Sequence, residues 1–508
     1  MINFQLIEKF LFPKKINFFY RLFLIVVTGL LELIGISLLL LFIKIIASDG
    51  EIINFLNFSF QARNFTDVKA ICFLIIIFYI LKNLYILWFV TSQQKILTNA
   101  QFRLSKNIYY GYIKSKLNRV LNIDTKKITQ DINVETEKLF YEYFQSMFTL
   151  ITETIIILLI LLFFLYNEPL ISIYLVALSL VVYFSAAKIF FNKSSLMGEN
   201  RIQSFLKLSN VVNASIGLFK ELRVMKKTSV FSKEYDKNLN IYVKSRYFDN
   251  VTTELPKTFI ELFVVITIIS VVLILIFFNK SVENLIPVLS MFAIGSIRIM
   301  PSINRVAVAS HNMKFYGETI SQLVFDLDFL KYSRDNTHLH KSTNSIKNKI
   351  TFKNVFYFEG SKKIIDNLNL EISFRDKVLI LGKSGSGKTT FLKILSGLIP
   401  INEGAIHNGK NKNKDFIRFK ESISHLSQEN FIVDKESIFY NITLKQKKLA
   451  NQADMNNFDK VIKISNLNEF IRKQPLKEDT ILNESASNIS GGERQRIFLR
   501  FPYISLLP

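Results

Sequence analysis

Cysteine is all but missing. Cys72 is the single one in 508 residues, which excludes a disulfide scaffold, and it sits inside an apolar run. Glycine and proline are scarce, at 17 and 9, which excludes a collagen-like or other low-complexity chain. Acidic charge is in deficit: 41 Asp and Glu stand against 64 Lys and Arg, giving a net charge of +23. Apolar residues are plentiful at 49 %, which excludes intrinsic disorder. A mean hydropathy of +0.26 beside 21 % charged residues describes two unlike parts, one for membrane and one for water. The length allows about two to four domains.

Excess positive charge fits either a nucleic-acid partner or the cytoplasmic side of a membrane protein. Its placement decides. A bilayer core of about 30 Å needs about 20 mostly apolar residues in helix. Stretches of that kind run near Leu22–Ile46, Ala70–Val90, Met147–Tyr166, Leu170–Phe191, Phe259–Phe278 and Leu285–Val308, which predicts six spans. The segment after the second carries Lys95, Arg103, Lys106, Lys114, Lys116, Arg119, Lys126 and Lys127, and the one after the fourth is as basic. By contrast, Asn167–Pro169 has no Lys or Arg and Asn279–Asn284 has only Lys280. Positive-inside orientation puts both termini and the two long connections of this multi-pass chain in the cytoplasm. Charge placed this way accounts for the basic pI without nucleic acid.

Glu32, Lys82 and Arg298 lie within the spans at a similar depth. Each would cost about 2.5–3.5 kcal/mol facing lipid at the bilayer centre, so each is expected to face protein or a watery cavity. Two readings stand open. The three pair and position the helices, or Lys82 and Arg298 line a cavity for an anionic substrate. A polar linker, 333–348, follows the first domain (1–332); its His338 and His340 have no third ligand nearby and read as solvated residues.

From residue 349 the pattern changes. Ile350–Phe356, Leu368–Ile372 and Lys377–Leu381 read as strands. The last runs straight into Gly382-Lys383-Ser384-Gly385-Ser386-Gly387-Lys388-Thr389-Thr390, followed by helical periodicity over Phe391–Leu398. Strand, G-x-x-x-x-G-K-S/T, helix is a P-loop in its required context. Its glycines let backbone N–H groups curl around phosphates, and the helix N-terminus adds its positive end. Lys388 reaches the β- and γ-phosphates of ATP, and the Thr389 hydroxyl ligates Mg²⁺. Further on stands Ile489-Ser490-Gly491-Gly492-Glu493-Arg494-Gln495-Arg496, in which Ser490 is a natural helix N-cap.

With that stretch (ISGGE) added to the P-loop, the chain resembles the ATP-binding cassette (ABC) transporters, whose signature is LSGGQ-like. The resemblance implies further roles. Gln428 in HLSQENF matches the glutamine that contacts Mg²⁺ and the attacking water, and Phe358, or else Tyr357, falls where an aromatic ring stacks on adenine. Asn483-Glu484 matches a loop that touches the membrane domain. Segments near Asn118–Thr125 and Lys227–Ser232 match the coupling helices that rest on the ATPase domain. Six spans followed by a cassette is the order of exporter-type half-transporters, which work as homodimers or heterodimers. Each nucleotide is then sandwiched between one subunit's P-loop and the other's Ser490–Gly492 and Glu493. LELIGISLLLLFI, ELRVMKK and IRIMPSINRV are further similar to flippases of lipid-linked oligosaccharides. That implies a polyprenyl-diphosphate sugar, whose charge suits Arg298 and Lys82. Peptide, lipid or drug are the alternative substrates.

The fold class expected is therefore an α-helical six-span domain followed by an incomplete α/β P-loop ATPase domain (349–508). The family places an Asp-Glu strand and a switch histidine after the signature. Here Ile497–Pro508 contains no Asp, Glu or His, and all five histidines precede the signature. The expectation is a cassette truncated before that strand, with hydrolysis impaired at its own site. An active transporter, a non-hydrolytic partner subunit and a non-functional product all stay open.

Overall fold

The computed structural model describes residues 11, 15–47, 53–55, 58–60, 65–115, 125–167, 169–277, 282–317, 319–320, 323, 349–373, 375–408, 411–413, 432–483 and 488–498. They form two compact units, one before and one after residue 335. The 333–348 linker, with its two histidines, lies outside the described residues.

The first unit is helical. Its elements are α1 (Lys15–Ala47), a small hairpin of β1 (Ile53–Phe55) and β2 (Phe58–Phe60), α2 (Phe65–Ile113), α3 (Thr125–Gln130), α4 (Gln145–Asn167), α5 (Pro169–Gly217), α6 (Phe219–Val224), α7 (Thr228–Phe277) and α8 (Val282–Phe315). Every apolar stretch expected from the sequence falls inside one of the long helices, with Phe278 just beyond the described residues. Among the described residues, Phe18–Ile43, Val68–Ile113 and Lys127–Asn167 are long and apolar enough to cross a membrane. With 49 residues in α2, that helix is about 70 Å long at about 1.5 Å per residue, more than twice a bilayer core. Helices α5 and α7 are as long, at 49 and 50 residues. Pro169 opens α5, where its missing N–H leaves no hydrogen bond unmade.

The two expected coupling helices fare differently. Residues 118–124 lie outside the described set. At Lys227–Ser232, Thr228 begins α7 itself, and a separate short helix, α6, starts eight residues earlier at Phe219. Lys226 breaks the helical path with a left-handed φ of 54°, which is where the chain turns.

Helices α4 and α8 run antiparallel, and their register is fixed at three levels. Gly295 leaves room for the Phe164 ring, Arg305 Nε donates to Glu153 Oε1 at 2.6 Å, and Asn312 Nδ2 donates to Ser146 Oγ at 3.3 Å. A second set of polar ties joins α5, α7 and α8. His311 is sandwiched between Ser194 Oγ at 2.9 Å and Asp249 Oδ1 at 3.1 Å, and the Tyr316 hydroxyl donates to Asp249 Oδ2 at 3.1 Å. Between α3 and α4 the helix loosens into two π-helical runs, Asp131–Glu135 and Leu139–Phe144. Glu135 there is buried and accepts from Arg201 at 3.1 Å, Thr319 at 2.9 Å and Gln130 at 2.9 Å. Gly198 sits at the tightest crossing, where an added Cβ would overlap the Phe315 carbonyl. Gly198→Val should therefore cost at least the ~1–3 kcal/mol of an overpacked contact, seen as a lower melting temperature of the full chain in detergent. An unchanged melting temperature would mean that the crossing is looser than the geometry shows.

The second unit has a four-stranded antiparallel sheet in the order β4–β3–β5–β6, built from β3 (Lys349–Glu359), β4 (Lys362–Ser373), β5 (Glu403–Asn408) and β6 (Asn411–Asn413). Helix α9 (Lys388–Leu395) packs on it through Phe391 and Ile394 against Phe352, Val355 and Ile406. Then come α10 (Ile438–Thr443), α11 (Gln452–Ile464), α12 (Asn468–Lys473) and α13 (Gly491–Phe498), which share a core that includes Phe439, Phe458, Val461 and Ile497. Caps set their starts. The Tyr440 N–H donates to Ser437 Oγ, and Asn451 with Asp454 forms a full capping box.

One strand expected from the sequence is not formed. Lys377–Leu381 lies outside every ladder, and Val378, Leu379 and Leu381 are 51, 79 and 81 % exposed. A strand exists by its hydrogen-bonded neighbours, and among the described residues none pairs with this run.

Candidate functional site

The P-loop begins where that exposed apolar run ends. Gly385 and Gly387 hold left-handed φ values of 80° and 90°, which turn the loop. The Ser386 N–H closes the turn onto the Lys383 carbonyl at 3.2 Å. Gly387 is the N-cap of α9, so Lys388, Thr389 and Thr390 occupy its first turn. A Cβ at Gly382 would lie 2.6 Å from Ser386 Oγ, and one at Gly387 would lie 3.2 Å from the Ile364 carbonyl. The loop is thus shaped for glycine at these points, and side chains there would fill the cradle. Lys388 Nζ folds over the loop and donates to the Gly382 and Lys383 carbonyls, each at 2.8 Å. An ammonium beside a helix N-terminus fits a polyphosphate, and the Thr389 hydroxyl one residue on fits its Mg²⁺. Lys383 and Ser384 complete the loop.

The two candidate aromatics differ in burial. Tyr357 is buried in the sheet core, whereas Phe358 is half-buried and stacks on Phe356 with ring centroids 6.5 Å apart. Its N–H is anchored by Asn402 Oδ1 at 2.8 Å. Of the two rings, Phe358 is the more exposed.

The ISGGE stretch forms the start of α13 as a reciprocal cap. The Ser490 N–H donates to Glu493 Oε2 at 2.8 Å, and the Glu493 N–H donates to Ser490 Oγ at 3.3 Å. Nothing stands within 4 Å of an added Cβ at Gly491, and at Gly492 only the Arg496 guanidinium comes near, at 3.7 Å. The helix start is therefore rigid, glycine-lined and open. Gln428 and Glu484 lie outside the described residues, so neither joins the site here.

In the first unit, the three buried charges meet. Lys82 Nζ lies 3.0 Å and Arg298 Nε 3.2 Å from the same atom, Glu32 Oε2. Lys82 also sits over the Tyr79 ring at 4.6 Å, and the Tyr79 hydroxyl donates to the Gly35 carbonyl at 3.2 Å. Mutual pairing is what the geometry shows. The cluster carries two cations against one carboxylate. Sequence reading passed over the Glu153–Arg305 pair one level along α8. Its signals were present: Arg305 follows Arg298 by one heptad, which puts both on one helix face, and Glu153 is a carboxylate inside an apolar stretch.

Comparison with known proteins agrees with this geometry. Residues 365–501 match the family model described as ABC transporter. The chain is 29 % identical over 281 residues to the lacticin-481/lactococcin-DR transport/processing ATP-binding protein lcnDR3 of Lactococcus lactis subsp. lactis, covering 54 % of this chain and 36 % of that protein. It is 31 % identical over 165 residues to the lactococcin-G-processing and transport ATP-binding protein LagD of the same organism, covering 32 % and 23 %. An ATP-dependent lipid A-core flippase of Desulfotalea psychrophila is 26 % identical over 209 residues, covering 41 % and 35 %. The matches thus span about a third or less of these relatives' own length. A solved structure of a bacterial Atm1-family ABC exporter with ATP bound shares the fold, with a TM-score of 0.70 at 16 % identity over 95 % of this chain and 83 % of that one. Residues 365–501 thus resemble an ABC transporter domain, and the chain as a whole shares the fold of that exporter structure.

Proposed function

We propose that this chain is one half of an ATP-driven exporter or flippase that moves an anionic, lipid-linked saccharide across the bacterial inner membrane. The observation that carries the substrate class is the pair of arginines on α8. Arg298 and Arg305 lie one heptad apart, about 10 Å along the helix, and both are partly exposed while their glutamate partners are buried. Two cations on one helix suit a diphosphate joined to an apolar chain, as in a polyprenyl-diphosphate sugar. The relatives' names cover both lacticin transport and lipid A-core flipping, so peptide, lipid and drug stand as the competing substrates.

In this reading the chain dimerises with itself or with another half-transporter. ATP and Mg²⁺ would be held by Gly382–Thr390 of one subunit, with Phe358 for the base; the resemblance assigns Gln428 to the metal and water. Ser490, Gly491, Gly492 and Glu493 of the opposing subunit close the sandwich. Lys388 and the α9 N-terminus neutralise the phosphates, and closure of the two cassettes turns the membrane helices outward.

A binding test separates the substrates. In nanodiscs, the full chain should bind a polyprenyl-diphosphate-linked sugar, and Arg298→Ala and Arg305→Ala should each weaken it about tenfold, the worth of one charge-assisted contact. Equal binding by wild type and both variants would overturn the anionic reading.

A further inference from the structure

We propose that Lys363 is a further nucleotide-binding residue, whose ammonium pairs with the phosphate nearest the ribose. This rests on the ATP reading of the P-loop and Phe358 above.

Lys363 lies on β4 directly opposite Phe358 on β3. Residues paired this way across an antiparallel ladder share one face and interact. Lys363 Nζ stands 5.5 Å from the ring centroid of Phe356 and 6.0 Å from that of Phe358, where a ring quadrupole attracts a cation. The two rings are held parallel, within 4°. Asn402 fixes their backbone at both ends: Oδ1 accepts from the Phe358 N–H, and the Asn402 N–H donates to the Phe356 carbonyl at 3.0 Å. The next residue along β4 is Ile364. Its carbonyl and Cγ2 would come within 3.2 and 3.4 Å of a Cβ on Gly387, the last glycine of the phosphate loop. One step along β4 thus leads from the aromatic pair to the loop, and Lys363 stands at that step.

The ammonium is held there only loosely. Its ion-pair partner among the described residues is Asp366 Oδ1 at 3.1 Å, and the two side chains are 46 and 63 % exposed. A pair so open to water contributes little and gives way to a stronger anion. A phosphate is such an anion, and the flexible lysine stem lets the head swing to it while the stem stays on the rings. Lys388 serves the other end of the loop, with Nζ on the Gly382 and Lys383 carbonyls. A nucleotide runs from base through ribose to its phosphates. With the base at Phe358 and the outer phosphates at Lys388, the first phosphate is the one that meets Lys363.

The test is a competition series on the full chain in detergent. ATP, ADP, AMP and adenosine each displace a fluorescent ATP analogue, whose own affinity is first measured for every variant. Lys363→Met should weaken ATP, ADP and AMP alike, by about tenfold, the worth of one charge-assisted contact, and leave adenosine unchanged. Lys363→Arg should retain most of the affinity, since it keeps the charge. Lys388→Ala, by contrast, should weaken ATP far more than AMP. A Lys363→Met loss that disappears with AMP would move the lysine to the outer phosphates and overturn the assignment. A loss that persists with adenosine would mean that Lys363 only props the rings, and equal affinities for all four would mean that it does nothing; either overturns the proposal. Unchanged ATP affinity in Phe358→Ala, beside a Lys363 loss that includes AMP, would remove the base from Phe358 and leave the lysine assignment standing. No displacement by any nucleotide in wild type would overturn the ATP reading itself, and the proposal with it.

Discussion

Lys388→Ala is expected to weaken ATP binding by at least about a hundredfold, which is about 2.7 kcal/mol. The side chain is already poised over the loop, with Nζ 2.8 Å from the Gly382 and Lys383 carbonyls. It needs to move little to meet a phosphate, so little ordering entropy is spent on binding. Each charge-assisted bond it makes there is worth about 1.5–3 kcal/mol, and two are in reach. Lys388→Arg should recover part of the loss through charge alone, because the planar guanidinium does not match the cradle of a point charge. Titration of the full chain with a fluorescent ATP analogue in the presence of Mg²⁺ reads this directly. Affinity that survives in Lys388→Ala would place the nucleotide elsewhere.

The other large effect concerns the membrane unit. Glu32→Ala should destabilise it by about 3–5 kcal/mol, the usual consequence of breaking a buried ion pair. The reason is what stays behind. Lys82 and Arg298 converge on one carboxylate oxygen, so its removal leaves two cations facing each other with no counter-charge. Lys82→Met in the same chain should restore much of the loss, since a single remaining arginine is partly exposed and can reach water. Thermal unfolding in detergent, followed for wild type, Glu32→Ala and Glu32→Ala/Lys82→Met, checks the pattern. Equal melting of all three would mean that the cluster contributes nothing to packing.

How much of this was readable in advance depends on whether the cause is local. The P-loop was legible because glycine placement, lysine and helix start all follow within nine residues, Gly382 to Thr390. The apolar stretches were legible because helices satisfy their own backbone within the segment. Glu32, Lys82 and Arg298 were legible as a set by depth, yet the choice of partner atom was not. The strand over Lys377–Leu381 shows the opposite limit. Its composition is right for a buried strand, but a ladder needs a neighbour from elsewhere in the chain, and composition cannot supply one. Tyr357 and Phe358 were indistinguishable by spacing, since adjacent strand residues face opposite sides and only packing says which side is core. The π-helical runs carry no sequence pattern of their own. The Gly198 crossing is set by Phe315, more than a hundred residues away.

The account joins a nucleotide site on one unit to an anion site on the other, and the most direct measurement is the linkage between them. The affinity of the full chain for a polyprenyl-diphosphate-linked sugar should be measured in nanodiscs with and without ATP and Mg²⁺. In the proposed cycle ATP closure turns the membrane helices outward, so ATP should weaken binding at least about fivefold, and Lys388→Ala should abolish the shift. Identical affinities with and without ATP, in a wild-type chain shown to hold the nucleotide, would contradict a coupled transporter.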